Sequence, residues 1–424
     1  MFFYKRKCSI AVEITKDKGK EEVQLLMAKD QNDCFVSLLT LSRAELNEYK
    51  RKVYSCPCCT GRVFLKVGKI KMPHFAHAPN LMCNAASEGE TEEHLVGKKM
   101  LYEWLEAQGY EVELEKYFSS FKQRADLFIK HNGKSFAIEF QCSIISLEDI
   151  RKRTRSYLKH HITPVWILSE RHVKWKKRNG FMLSAFHWSS SFGTTLLPKL
   201  IAYSPKTSQF TILQQLTPFS ERHVFAYPKI VHIQSLTFSE LINTSFIYPL
   251  RNQIWQNKKQ SWRLYSATYA TFDHPFFKAL YDGGFSPATI PNECGIPVPF
   301  MHLYQTSVIQ WQFWLFEHVL RKKNTGDFVS LGEWRSALVR CLKEEKIVLR
   351  YMPQSMMMNP FLPMEQYIFM LEKLGVLKRE KNMYIYANAI EPFKASSPQK
   401  EDIFYQAIEQ YYGELMAKIN EKID

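Results

Sequence analysis

The sequence predicts a multidomain α+β or α/β protein. Its core is a mixed sheet flanked by helices, preceded by a small Cys/His segment and followed by a mixed, then mainly helical, C-terminal region. Three observations carry this reading. Cysteines and histidines crowd between Cys56 and Cys83. An Asn132-Gly133 pair separates two alternating apolar runs, the strongest short-range hairpin signal. From about Thr306 onward the apolar residues recur at helical spacing.

The elements follow in order. In residues 1–50, Ser9–Ile14 and Val23–Ala28 alternate as strands, and Ser42–Tyr49 is a helix behind a Ser cap with Glu45 three residues on. Residues 51–87 form the Cys/His segment. Residues 88–170 read as the core. A helix runs from about Glu90 to Gln108 and stops at Gly109. Strands follow at Val112–Glu115, Arg124–His131 and Lys134–Cys142, then a helix over about Leu147–Lys159 and a buried strand at Pro164–Leu168. Residues 171–300 open on a basic run from His172 to Arg178 that reads as a linker, and continue as a mixed region without an assignable fold. In the helical region 301–424, Met364–Leu374 leads into Val376–Lys381 and Met383–Ala387, a helix and hairpin in the manner of a winged helix.

Composition bounds the function. The chain has 424 residues, 46% hydrophobic and 23% charged, enough to bury cores, so disorder is excluded for most of it. Lys and Arg number 57 against 42 Asp and Glu, a net charge of +15 that favours a polyanionic partner, nucleic acid first. Apolar runs such as Phe35–Leu41 fall far short of the ~20 residues a membrane helix needs, so no membrane partner is expected. The N-terminus places its charges after a very short apolar stretch, unlike a signal peptide. The nine cysteines are odd in number and unevenly spread, which fits a reducing cytoplasm with one local metal site.

That site is the run Cys56-Pro57-Cys58-Cys59, followed by His74-Phe75-Ala76-His77 and Cys83. A CxxC knuckle with His and Cys downstream fits four-coordinate structural zinc, since thiolates and imidazole suit that ion and four protein ligands close it to catalysis. The expected ligands are Cys56, Cys59, His77 and Cys83, with His74 and Cys58 as alternates. The ion would fold a segment too small for its own core.

The Asn-Gly turn fixes a register. His131 faces Lys134, Ile129 faces Phe136, Asp126 falls opposite Glu139, and Arg124 opposite Gln141. Alternation puts Asp126, Glu139 and Gln141 on one face, with Leu127, Ile129, Ile138 and Phe140 on the other. Directly opposed carboxylates are destabilising unless something cationic lies between them. Magnesium or manganese with oxygen ligands is the natural candidate, and such an ion would activate water against a phosphodiester. The bland alternative pairs each carboxylate with a surface Arg or Lys.

The flanking helices favour the first view. Glu90, His94 and Lys98 share a face of the preceding helix, so Glu90 or Glu93 can add a carboxylate and His94 or Lys98 can touch phosphate. The following helix carries Arg151, Arg153 and Tyr157. With Arg124, these are the expected DNA-backbone contacts.

Seven stretches in order then resemble the competence protein CoiA family: Cys56–Cys59, His74–His77, Glu90–Lys98, Gln123–Asp126, Glu139–Ser143, Arg151–Tyr157 and Trp166–Leu168. The resemblance implies a restriction-endonuclease-like core of the PD-(D/E)XK type, behind a zinc-ribbon-like segment. Asp126 matches the motif Asp and Glu139 opens the last motif, while Gln141 stands where Lys is usual. The lysine role then passes to Lys98 or is absent. The resemblance also implies bacterial natural transformation as the setting, with incoming single-stranded DNA as substrate and the recombinase as partner.

The leading expectation is therefore a magnesium- or manganese-dependent deoxyribonuclease. The alternative is a DNA-binding recombination mediator with a residual nuclease core. A third reading is a zinc-stabilised scaffold that docks a protein through patches such as Trp311–Phe316 or Met356–Met358.

Overall fold

The computed structural model describes residues 24–68, 71–78, 83, 91–176, 180–193, 197–243, 248–269, 271, 273–355, 358–394 and 398–420. Glu90, the Ser9–Ile14 strand, Lys177, Arg178, Met356 and Met357 lie outside these residues. The chain forms two compact units, Met1–Lys99 with Leu114–Ala125, and Met100–Glu113 with Asp126–Asp424.

In the first unit, short strands β1 (Gln24–Leu25), β2 (Met27–Lys29), β3 (Phe35–Ser37), β4 (Tyr54–Ser55), β5 (Arg62–Lys66) and β6 (His74–His77) form one sheet in the order β1-β6-β5-β4-β2-β3. Helix α1 (Arg43–Tyr49) starts with the predicted capping box between Ser42 and Glu45. Leu25, Tyr54, Val63, Leu65 and Phe75 make a small core beside Cys56 and Cys83. A ribbon of β8 (Tyr117–Phe118) and β9 (Gln123–Arg124) belongs to this unit.

Helix α2 (Glu92–Glu106) is followed by β7 (Glu113–Leu114), then by the hairpin β10 (Leu127–His131) and β11 (Lys134–Gln141). The pairing is the predicted one, Leu127 with Ile138 through His131 with Lys134. Asn132 and Gly133 take φ of 49° and 72°, as a type I′ turn requires. Helix α3 (Leu147–Lys159), capped by Ser146, crosses to β12 (Ile162–Ser169), which runs parallel to β11. Its Ile150, Thr154 and Tyr157 recur at helical spacing and are buried.

The sheet does not end at β12. The strands β13 (Trp175–Lys176), β14 (Gly180–Met182), β15 (Leu200–Ser204), β16 (Gln209–Pro218) and β17 (His223–His232) extend it, with α4 (Ala185–Ser189) on the way. Among the described residues the order is β13-β14-β17-β16-β15-β12-β11-β10-β7. The basic run expected to be a linker thus contributes an edge strand. Its polar residues are what an exposed edge carries, which is why composition alone mistook it.

Helices α5 (Phe238–Asn243), α6 (Asn252–Tyr269) and α7 (Pro275–Asp282) lead into α8 (Val308–Val319), β18 (Phe328–Ser330), α9 (Leu331–Lys343), α10 (Leu362–Lys373), β19 (Leu377–Glu380) and β20 (Met383–Tyr386). The three strands pair in the order β18-β20-β19, so the expected helix followed by a hairpin is present as α10, β19 and β20. Helix α11 (Pro398–Asn420) packs on α10, where Lys373 pairs with Glu414 at 2.8 Å. Trp311, Phe313 and Leu315 are fully buried, so this stretch is core and not a docking patch. No helix among the described residues is long and apolar enough to cross a membrane.

The turn offers a direct check of the hairpin. Nothing lies within 4 Å of a Cβ built on Gly133, so Gly133→Ala tests backbone strain alone. Its expected cost is about 1–2 kcal/mol in urea denaturation; no measurable cost would mean the positive-φ turn is not needed.

Candidate functional site

The Cys/His segment converges. The donor atoms of Cys56, Cys59, His77 and Cys83 all lie within 4.8 Å of one another. Cys56 Sγ is 3.9 Å from Cys83 Sγ, and Cys59 Sγ is 3.4 Å from His77 Nε2. Around a tetrahedral ion with bonds near 2.3 Å to sulfur and 2.0 Å to nitrogen, such edges fall at roughly 3.5–3.8 Å, so the set fits. The knuckle that aims the first two thiols is a tight loop. Thr60 N donates to Cys56 O at 2.9 Å, Cys56 N to Gly61 O at 2.8 Å, and Thr60 takes φ of 59°. Hydrogen bonds from Cys58 and Cys83 hold the Cys56 thiol well below its usual range, and the same cluster pushes His77 up to about 11, with Cys56 the leading cause. The two alternates sit differently. His74 turns Nδ1 to Met72 O at 2.9 Å, and hydrogen bonding to Cys56 and Cys83 holds the Cys58 thiol protonated.

The first unit also contains a carboxylate that sequence reasoning missed. Glu115, at φ of 50°, is buried. It accepts from Leu26 N at 3.0 Å, Met27 N at 3.3 Å and Lys98 Nζ at 2.6 Å. Lys98, expected near phosphate, is therefore bonded to Glu115, and both side chains are sealed from solvent. Glu93 and His94 sit half-buried in the first turn of α2. Arg124 was expected opposite Gln141 and on DNA. The structure instead pairs it with Tyr117 in the β8–β9 ribbon, buried, where its charge acts on the Cys58 thiol. The alternation continues only from Leu127, because the chain switches ribbons at Asp126.

The second unit holds the carboxylate pair. Just before the Leu127–Ile138 pair that ends the ladder, Asp126 lies close enough to Glu139 for its charge to act on that carboxyl, and both are buried. Asp126 Oδ2 accepts from Phe140 N at 2.9 Å, which pins it across the hairpin. Glu139 Oε2 accepts from Arg153 Nη2 at 2.6 Å, and its Oε1 from Tyr157 OH at 2.5 Å. Burial pushes the Glu139 carboxyl up to about 7; Arg153 opposes this and the Asp126 charge adds to it. Gln141 is buried and donates from Nε2 to Ser143 O at 3.0 Å.

The residues expected to meet DNA thus separate. Arg153 and Tyr157, one turn apart on α3, grip Glu139, and Tyr157 is wholly buried. Arg151, on another face of α3, stacks over the Tyr351 ring at 3.9 Å. The signal for the clamp was in the sequence: a buried acid needs partners, and positions 153 and 157 share a face.

A mixed sheet whose hairpin carries two neighbouring buried carboxylates, with α2 before it and α3 crossing after it, defines a nuclease-like fold, and the Cys/His segment brings together four donors that could hold a metal ion. Comparison with known proteins agrees. Profiles of the competence protein CoiA N-terminal, nuclease-like and C-terminal domains match residues 38–86, 90–246 and 250–393. The chain is 26% identical over 362 residues to "Competence protein CoiA" of Bacillus subtilis (strain 168), covering 81% of this chain and 92% of that protein. No solved structure matches. The chain belongs to the competence protein CoiA family. The nuclease-like profile runs to residue 246, in keeping with a sheet that continues to β17.

Two outcomes follow. Cys59→Ser or Cys83→Ser should lower the metal content of the purified chain, read by elemental analysis, whereas Cys58→Ser should leave it unchanged. Arg153→Met strands Glu139 as an uncompensated buried charge, and should cost about 3–5 kcal/mol in denaturant unfolding; a neutral result would mean the pair is not buried in solution.

Proposed function

We propose that this chain is a magnesium- or manganese-dependent deoxyribonuclease that processes incoming single-stranded DNA for recombination during natural transformation. The observation that carries the reading is the pair of buried, neighbouring carboxylates, Asp126 and Glu139, in a nuclease-like domain. Two hard oxygen donors of like charge suit such an ion. Each Glu139 oxygen accepts one hydrogen bond and retains a second lone pair, so the donors are available. Asp126 and Glu139 would hold the ion, which when bound lowers the pKa of water and offsets charge on the phosphodiester.

The chain's own groups do the rest. Arg153 and Tyr157 fix the orientation of Glu139 and balance its charge. The Phe140 amide fixes Asp126. Gln141 positions water through its amide. The Cys56, Cys59, His77 and Cys83 cluster takes zinc as a structural ion, since its donors are soft and four in number. The formal charge of +15 supports DNA as partner. The recombinase as second partner and a cytoplasmic setting complete the proposal.

A second reading has its own observation. Both oxygens of Glu139 are already engaged, by Arg153 and Tyr157, and Gln141 replaces the usual lysine. This favours a DNA-binding recombination mediator whose nuclease core is residual.

Cleavage of labelled linear and circular, single- and double-stranded DNA with magnesium or manganese separates the two. The nuclease reading expects cleavage by the wild type that Asp126→Ala abolishes with metal at the Cys/His cluster retained. Absence of cleavage with salt-sensitive binding retained in both proteins would favour the mediator.

A further inference from the structure

A cavity of about 350 Å³ opens in the second unit, on the side of α3 that carries Arg151. This volume lies within the range of small-ligand sites, roughly 300–1,000 Å³. Its walls combine Arg151, Arg222 and Arg350 with Trp188 and Tyr351, and Glu221 is the one acid in the lining. Arg151 comes from α3 and Trp188 from α4. Arg350 and Tyr351 come from the stretch before α10, within residues matched by the C-terminal profile. Residues far apart in sequence therefore meet here.

The guanidiniums are built in. Arg350 is buried and donates to His302 O at 3.0 Å, Glu221 O at 3.2 Å and Tyr304 O at 3.2 Å, and its plane lies 4.1 Å over the Trp188 ring. Of its five N–H groups, these bonds use three. Burial lowers Arg350 to about 9, which leaves it charged at neutral pH. Arg151 lies 3.9 Å over Tyr351 and Arg155 lies 5.4 Å over the same ring.

What points to a ligand is the set of polar atoms that the protein leaves unsatisfied. Arg151 Nε, Trp188 Nε1 and Tyr351 OH are all buried without a hydrogen-bond partner, and all three residues line this one cavity. Leaving such groups unmet costs about 1–3 kcal/mol each. Two are pure donors and the third can donate. A lining of unmet donors and three guanidiniums calls for an acceptor-rich anion, and guanidiniums match phosphate in a bidentate geometry. The aromatic rings suit a base beside it.

We propose that this pocket binds the phosphate of a nucleotide unit, either a free mononucleotide or the phosphorylated end of a DNA strand. The inference does not rest on cleavage at Asp126 and Glu139, because Arg151 faces away from Glu139 on α3.

The test is equilibrium binding by the full chain without added divalent ion. The probes are deoxyadenosine monophosphate, deoxyadenosine, and a short single-stranded oligonucleotide with and without a terminal phosphate at either end. Phosphate should improve binding about tenfold or more over the matched unphosphorylated probe. Arg151→Gln and Arg222→Gln should each remove most of that gain and leave the unphosphorylated probes unchanged. Arg222 is exposed, so its variant is expected to fold even if Arg151→Gln does not. A gain confined to the mononucleotide identifies the free ligand, and a gain confined to the oligonucleotide identifies the strand end. Equal binding of phosphorylated and unphosphorylated probes, or an unchanged phosphate gain in Arg222→Gln, overturns the proposal.

Discussion

The burial of Glu139 constrains the second unit more than any other single feature. An isolated carboxylate taken from water carries a penalty of several kcal/mol, and it survives in a fold only with good partners. Here the partners are Arg153 and Tyr157, four residues apart on α3. Their spacing dictates which face of the helix meets the sheet. Thr154, between them, accepts a hydrogen bond from Trp166 Nε1 at 2.9 Å on the neighbouring strand β12. The crossover from β11 to β12 is thus locked by polar contacts on one face of one helix. A sheet that only needed apolar packing would have no use for them.

The first unit repeats the strategy with different chemistry. Its apolar core is small, resting on a few residues such as Leu25, Tyr54 and Phe75. Two polar clusters supplement it. Glu115 ties Lys98 of α2 to the amides of Leu26 and Met27. The Cys/His cluster ties the knuckle at Cys56 to β6 and to Cys83. Both clusters join segments distant in sequence, which is what a sheet of very short strands cannot do through its ladders alone.

Much of this was legible. The Asn132-Gly133 turn set the register of the hairpin, the span of α3 followed from its cap and periodicity, and the four converging Cys/His donors followed from spacing. Those signals are local, and local signals survive tertiary context. Arg124 was misplaced because alternation was extended past Asp126, where the chain leaves the hairpin for another ribbon. Arg153 and Tyr157 were read as surface contacts because charge on a helix is usually solvated, and nothing in composition marks which cation is buried. Glu115 was read as the end of a strand. The strands beyond β12 were not assigned to the sheet because their mixed sequences, rich in Ser, Thr and Pro, lack the clean alternation of a half-exposed sheet.

The same helix also explains why the C-terminal region is part of the nuclease-like unit. One face of α3 holds Glu139 through Arg153 and Tyr157, while Arg151 and Arg155 on another face bear on Tyr351. Next to Tyr351, Gln354 donates to Pro164 O at 3.0 Å, at the entry of β12, and Ser355 donates to Gly193 O at 3.2 Å. The segment around residues 350–355 therefore touches both the helix that orients the carboxylate and the strand beside it. A displacement of that segment, by a ligand or a partner, would act on α3 directly. Packed elements of this kind transmit shifts because they have no slack to absorb them. The charge that faces Glu139 and the charge that faces the cavity are thus set by the same thirteen-residue helix. In physical terms the carboxylate site and the C-terminal region are two sides of one element.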